Sequence, residues 1–242
     1  MTDLPDTERL YAVIEKTWPP AKVAQEGPWV IRDGQGGGKR VSAATSTTAE
    51  AIERLNQAES AMVALGQPCL FMLRSGDQAL DAALDEAGYE IIDPVNLYAC
   101  PVAQLTTVVP PRVTAFDIWE PLSIQEEIWA EGGIGPDRID VMRRVKGPKT
   151  SLFGRENNRA AATGFVAIHD GVAMIHALEV QADHRRCGMG RHLTHHAAHW
   201  ATKKGANYLS VLCTKANLAA NALYTSLGMT HVGEYHYRIK TE

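Results

Sequence analysis

Apolar positions recur with two periods along this chain, and the order in which those periods alternate lays out its elements. Residues 7–17 place Leu10, Val13 and Ile14 on one helical face before Trp18-Pro19-Pro20 ends the run. Residues 29–32 and 40–44 read as strands around the segment DGQGGGK, a hairpin with a long glycine-rich tip. That tip lacks the spacing of a phosphate-binding P-loop, and no helix opening on Lys-Ser or Lys-Thr follows it. An amphipathic helix over 48–65 ends at Gly66, a short apolar strand covers 69–74, and a helix over 78–87 ends at Gly88. Residues 89–92 and 95–99 are extended and broken by Asp93-Pro94.

The pattern restarts after TTVVPPRVT, where Pro110 and Pro111 deny both helix and sheet, so a linker is expected there. Helices over 122–129 and 138–145 flank the loop EGGIGPDR. Strands follow over 151–155, 161–169 and 172–180, the last two joined by Asp170-Gly171 as a two-residue hairpin turn. A helix over 191–204 closes at Gly205, a strand covers 208–213, and a helix over 218–227 closes at Gly228. Residues 232–239 alternate, with Tyr235, Tyr237 and Ile239 on one face.

Composition changes this picture little. With 242 residues the chain can form one large domain or two modest ones, and 45% hydrophobic and 21% charged residues are ordinary for a globular protein. A net charge of -4 supplies no global attraction for nucleic acid or an anionic membrane. The four cysteines are scattered, without zinc or CxxC spacing, which suits reduced thiols. The start MTDLPDTERL is too polar for a signal peptide, and no apolar run approaches the ~20 residues of a membrane span. A cytoplasmic protein is expected.

Candidate chemistry concentrates in HALEVQADHRRCGMGRHL, residues 176–193. A strand ends there and a helix begins after two glycines and two arginines. The first turn of a helix leaves backbone N–H groups unpaired at the positive end of its dipole. Gly188 and Gly190 remove side chains that would keep a diphosphate away, and Arg185, Arg186 and Arg191 add positive charge. A dinucleotide fingerprint would need a third glycine where Leu193 stands, and a strand without an antiparallel hairpin partner.

Arg185-Arg186-Cys187-Gly188-Met189-Gly190 resembles the R/Q-x-x-G-x-G/A signature of the GNAT superfamily of acyl-CoA-dependent N-acyltransferases. Downstream, Asn217, Ala220, Leu223 and Tyr224 match N-x-x-A-x-x-L-Y, and Gly228-Met229 stands where the family commonly has Gly-Phe. The resemblance runs from about Val113 to the end. It implies an α+β fold: a mixed, mostly antiparallel sheet flanked by helices. The first half repeats the strand–helix–strand ending through CLFMLR and EAGYEII but has no such loop. It resembles a degenerate copy in a tandem arrangement, with residues 1–110 as a GNAT-like domain and 111–242 as the catalytic one.

The resemblance further implies acetyl-CoA as cosubstrate and no metal. Its pantetheine would bond the backbone near Leu178 and Val180. Its diphosphate would lie on residues 185–191 (Arg185, Arg186, Cys187, Gly188, Met189, Gly190, Arg191), with Asn217 capping the last helix or touching the cofactor. Tyr224 holds the family's general-acid position. The base stays open among His176, Glu179 and a water relay; plain alternation would put Met174, His176 and Leu178 on one strand face. Glu127, Trp129 and Glu131 lie where the acceptor site is usually lined. His192/His196 and His195/His199 have metal-like spacing but read as a solvated helix face. The acceptor would be a small-molecule or peptide amine, and the protein a monomer or homodimer. The rival from another class is a noncatalytic acyl-CoA sensor.

Overall fold

The computed structural model describes residues 4–240. The first helix, α1 (Thr7–Thr17), is capped by the Asp6 carboxylate, which accepts from the Arg9 amide, and it buries Leu10, Val13 and Ile14. Strands β1 (Lys22–Glu26) and β2 (Trp29–Asp33) form the hairpin of this region, turning through Gly27-Pro28. The expected second strand at 40–44 is instead the short helix α2 (Lys39–Ser42), followed by β3 (Thr45–Ser46). The glycine-rich loop is therefore no free hairpin tip. Gly37 is buried, and a Cβ there would come within 2.6 Å of a Val141 methyl. A 3₁₀ turn (Ala49–Arg54) leads into α3 (Leu55–Ala64), so the helix expected over 48–65 begins in a tighter winding. Then come β4 (Leu70–Leu73), α4 (Gln78–Glu86), β5 (Glu90–Pro101) and α5 (Val102–Leu105). Asp93-Pro94 does not break β5. Asp93 takes a left-handed φ of 44°, and the register with its neighbour shifts close by.

After the Pro110-Pro111 loop the chain forms β6 (Ala115–Ile118), which the apolar pattern did not announce, then α6 (Ser123–Glu131) and α7 (Pro136–Arg144). A meander of β7 (Lys149–Glu156), β8 (Arg159–His169) and β9 (Val172–Val180) follows. The chain ends with α8 (Met189–Lys203), β10 (Tyr208–Thr214), α9 (Leu218–Ser226) and β11 (Thr230–Ile239).

Among the described residues, eight strands form one sheet in the order β4-β11-β5-β10-β9-β8-β7-β6, and β1-β2-β3 form a small second one. Within the large sheet β9 and β10 pair in parallel, joined by the crossover helix α8, and the other neighbours are antiparallel. The expected α+β class, a mixed and mostly antiparallel sheet flanked by helices, is the one found. Strands from both sides of the Pro110-Pro111 loop share this sheet, with β5 between β10 and β11.

Helices cover both faces. Leu193, Ala197 and Trp200 of α8 pack on Leu152, Val166, Ile175 and Val211, joined by Tyr98, Val102 and Leu105 from the first half. On the other face α1 covers Val172, Met174 and Tyr235, while Trp129, Ile139 and Val141 of α6 and α7 cover Phe165 and Ala167. The histidines of α8 are not a solvated face. His195 bonds the Leu105 carbonyl at 2.8 Å, His199 the Val108 carbonyl at 2.9 Å and His196 the Asp117 carboxylate at 2.8 Å. They fasten the linker and β6 onto α8.

Candidate active site

Parallel pairing of β9 and β10 runs only from Val172 opposite Tyr208 to Ile175 opposite Val211. Beyond that β9 continues to Val180 and β10 to Thr214 without meeting, so the sheet opens into a wedge. A bulge sharpens it. The β8–β9 register shifts between Thr163 and Phe165, and Ala177 takes a φ of 50°. That left-handed alanine is held by the indole N–H of Trp129, which donates to its carbonyl at 2.7 Å. The bulge also reverses the strand's alternation. His176 and Ala177 both face the Trp18–Phe165 side, while Leu178 and Val180 pack toward α8. The expected grouping of Leu178 with Met174 and His176 therefore fails.

The wedge is the centre of a cavity of about 1330 Å³. Its backbone wall is the free edge of β9 from His176 to Val180, a strand edge able to pair with an extended ligand. At one end lies the loop that leads into α8. Arg186 and Gly188 have φ of 67° and 86°, and Gly188 is the N-cap of α8. A glycine cap carries no side-chain acceptor, so the first-turn amides keep their donors for a ligand. Gly190 sits close to α9: a Cβ there would lie 3.1 Å from Leu223 Cδ2, so that side chain would have to shift by a few tenths of an ångström. Arg185, Arg186, Gly188, Gly190 and Arg191 all line this end. Arg185 folds back to bond the Val180 carbonyl at 3.0 Å and Glu179 at 3.3 Å, and Arg191 reaches Ser226 of α9 at 2.7 Å. Met189 is buried in the core and also lines the cavity. Cys187 lines a separate surface depression beside Glu156 and Asn158.

Tyr224 projects from α9 into the same cavity and is only 4% exposed. Burial pushes its phenol well above the ordinary value, with Cys213 nearby adding to the shift, so it keeps its proton. Asn217 caps α9, its side chain accepting from the Ala220 amide at 3.0 Å, and it also borders the cavity.

His176 is 3% exposed, enclosed by Thr17, Trp18 and Arg40 of the first half and by Phe165. Its Nε2 lies 2.9 Å from Thr17 Oγ1, whose own hydrogen goes to the Val13 carbonyl. Thr17 must then accept, which places the imidazole proton on Nε2. The Nδ1 lone pair accepts from Arg40 at 2.9 Å. Burial and the Arg40 charge hold the imidazole far below its usual pKa. It is neutral, and its basic nitrogen is occupied. Glu179 stands differently: it lines the cavity beside Gly132, with Arg185 against one oxygen.

The three acceptor-side candidates are not brought together. Trp129 is fully buried and supports the bulge, Glu127 is exposed away from the cavity, and Glu131 is engaged by Gln181 at 3.1 Å at the surface. That end is walled instead by Trp18, Gly37, Gly38, Arg40, Ile134, Arg138, Tyr235 and Tyr237. Sequence reasoning passed over them because they come from distant segments. The one local signal was the run of three glycines, which lets backbone press against α7. Among the described residues no three His, Cys, Asp or Glu side chains converge as a metal site would require, and no helix is long and apolar enough to cross a membrane.

Comparison with known proteins agrees with this geometry. The profile of the Acetyltransferase (GNAT) family matches residues 117–229. An uncharacterized N-acetyltransferase, YobR of Bacillus subtilis (strain 168), is 30% identical over 251 residues, spanning 99% of this chain and 100% of its own. A GCN5-related N-acetyltransferase from Kribbella flavida shares the fold with a TM-score of 0.69 at 21% identity, over 97% of this chain and 95% of that one. A tandem GNAT protein from the clavulanic acid biosynthesis pathway aligns with a TM-score of 0.60 at 13% identity, over 77% and 68%. With its glycine-capped helix, open strand wedge and a full-length relative of this kind, the chain belongs to the GNAT family of acetyltransferases.

Proposed function

We propose that this acetyltransferase moves the acetyl group of acetyl-CoA to an amine by direct attack. The observation that carries the reading is one continuous cavity joining the α8 loop, the β9–β10 wedge and Tyr224. The diphosphate would rest on the α8 amides with Arg185, Arg186 and Arg191, and the pantetheine along the free β9 edge at Leu178 and Val180. Arg185 would have to release the Val180 carbonyl it now holds.

In the reaction the amine nitrogen attacks the thioester carbon, a C–N bond forms and the C–S bond breaks. The amine titrates near ~10 and must first lose a proton. Glu179 fits this task better than His176, because its carboxylate borders the cavity while the imidazole lone pair already binds Arg40. Tyr224, protonated throughout the neutral range, donates to the departing sulfur so that it leaves as the thiol. Residues 111–242 would form the catalytic domain holding the donor. The GNAT-like domain 1–110 would contribute β5 and the acceptor wall through Trp18, Gly37, Gly38 and Arg40. We place this reaction in the cytoplasm, consistent with four cysteines that form no disulfide.

Thiol release from acetyl-CoA with a panel of amines tests this. Tyr224→Phe is expected to lower kcat about 10²-fold or more while leaving the affinity for acetyl-CoA intact. Tight acetyl-CoA binding with no turnover of any amine would make the protein a CoA-binding module instead.

A further inference from the structure

Counting charges around the cavity separates its two ends. Two carboxylates line it, and both are matched: Asp93 pairs with Lys39 at 2.6 Å and Glu179 with Arg185 at 3.3 Å. At the end away from the α8 loop two cations, Arg40 and Arg138, also line it, and among the described residues neither has a carboxylate partner. Arg138 reaches only the Gly133 carbonyl, at 3.3 Å. Arg40 is held more firmly. Its guanidinium lies 5.3 Å over the Trp18 ring, one nitrogen donates to His176 Nδ1, and the Tyr237 hydroxyl is within hydrogen-bonding reach. Every one of these partners is neutral. Its Nε is buried and donates to nothing.

A half-buried guanidinium whose Nε is sealed from water and whose neighbours are all neutral is a charge waiting for an anion. It is also oriented in advance by Trp18 and by His176, which Thr17 in turn holds at Nε2. His176 is here a positioning residue acting through Arg40. Resting on the acetyltransferase reading above, we propose that the acceptor is an amine that also carries a carboxylate, which Arg40 binds with help from Arg138 at the mouth. Arg40 stands on the His176 side of the strand, whereas Leu178 and Val180, where the donor would run, pack toward α8. The carboxylate therefore rides on the acceptor rather than on the acyl group. Binding it at Arg40 sets the amine toward the wedge and Glu179.

The test uses the full chain saturated with CoA and matched pairs: glycine and methylamine, β-alanine and propylamine, L-phenylalanine and phenethylamine. Binding is read by saturation-transfer NMR and titration calorimetry, and turnover by thiol release from acetyl-CoA. In at least one pair the carboxylate member should bind at least about tenfold more tightly. Arg40→Gln should erase that preference, and Arg138→Gln should weaken it, both with acetyl-CoA affinity unchanged. Equal binding within every pair, no binding by any carboxylate, or a preference that survives Arg40→Gln overturns the proposal. So does a switch from succinyl-CoA to acetyl-CoA preference in Arg40→Gln, which would put the anion on the acyl group. The two readings fail separately. Turnover of uncharged amines without a carboxylate preference removes only the anion site, and carboxylate binding without thiol release removes only the acetyl transfer.

Discussion

Moving His176 from water into the wall between Trp18 and Phe165 strips its imidazolium form of hydration, and Arg40 beside it adds repulsion. The folded state thus binds the proton less well than the unfolded chain, whose histidine titrates near ~6.5. As pH falls through that value the unfolded chain takes up a proton that the folded one refuses, so stability declines on acidification. The thermal midpoint should drop between pH 7.5 and 5.5, and His176→Gln, which keeps a donor and an acceptor, should flatten that slope. The acidic limb of the kcat/KM profile should stay where it is in the same variant; its disappearance would make His176 the base after all. From residue type alone His176 was a fair candidate for that role. Nothing local could reveal that Thr17 and Arg40, from 159 and 136 positions away, would hold both its ring nitrogens.

The start of α8 was the most legible element, because its requirements are local. Gly188 takes the left-handed backbone, where a side chain costs about 1–2 kcal/mol, and a side chain at Gly190 would crowd Leu223. Valine at both positions should cut acetyl-CoA affinity at least about tenfold in calorimetry, since a single charge-assisted hydrogen bond contributes ~1.5–3 kcal/mol. Unchanged affinity would remove the diphosphate from this loop. The glycine-rich segment at 34–38 shows the opposite case. Its residues suit a turn, so a hairpin was expected, yet packing against Val141 and Arg138 made it cavity wall. In β9, alternation failed at one residue, where the Trp129 indole stabilises a left-handed Ala177. A bulge leaves no mark on hydrophobic periodicity until its partner strand is known.

Across the whole molecule the halves are interleaved. Strand β5 separates β10 from β11, and Tyr98, Cys100, Val102 and Leu105 complete the core under α8 and α9. A fragment of residues 111–242 would expose two long strand edges and lose those apolar contacts. Expressed alone it should lack a cooperative thermal transition and dispersed amide resonances; a well-folded fragment would show that β5 is dispensable. The sequence by itself determined most of the helices and strands of the second half, the glycine-capped entry to α8 and the cap at Asn217, since capping, turn chemistry and short motifs act within a few residues. Tertiary structure alone decided strand order, the bulge, the neutral His176 and the placing of Arg40 and Arg138 on one cavity. Those depend on which distant side chains share a low-dielectric space, and chain proximity does not encode that.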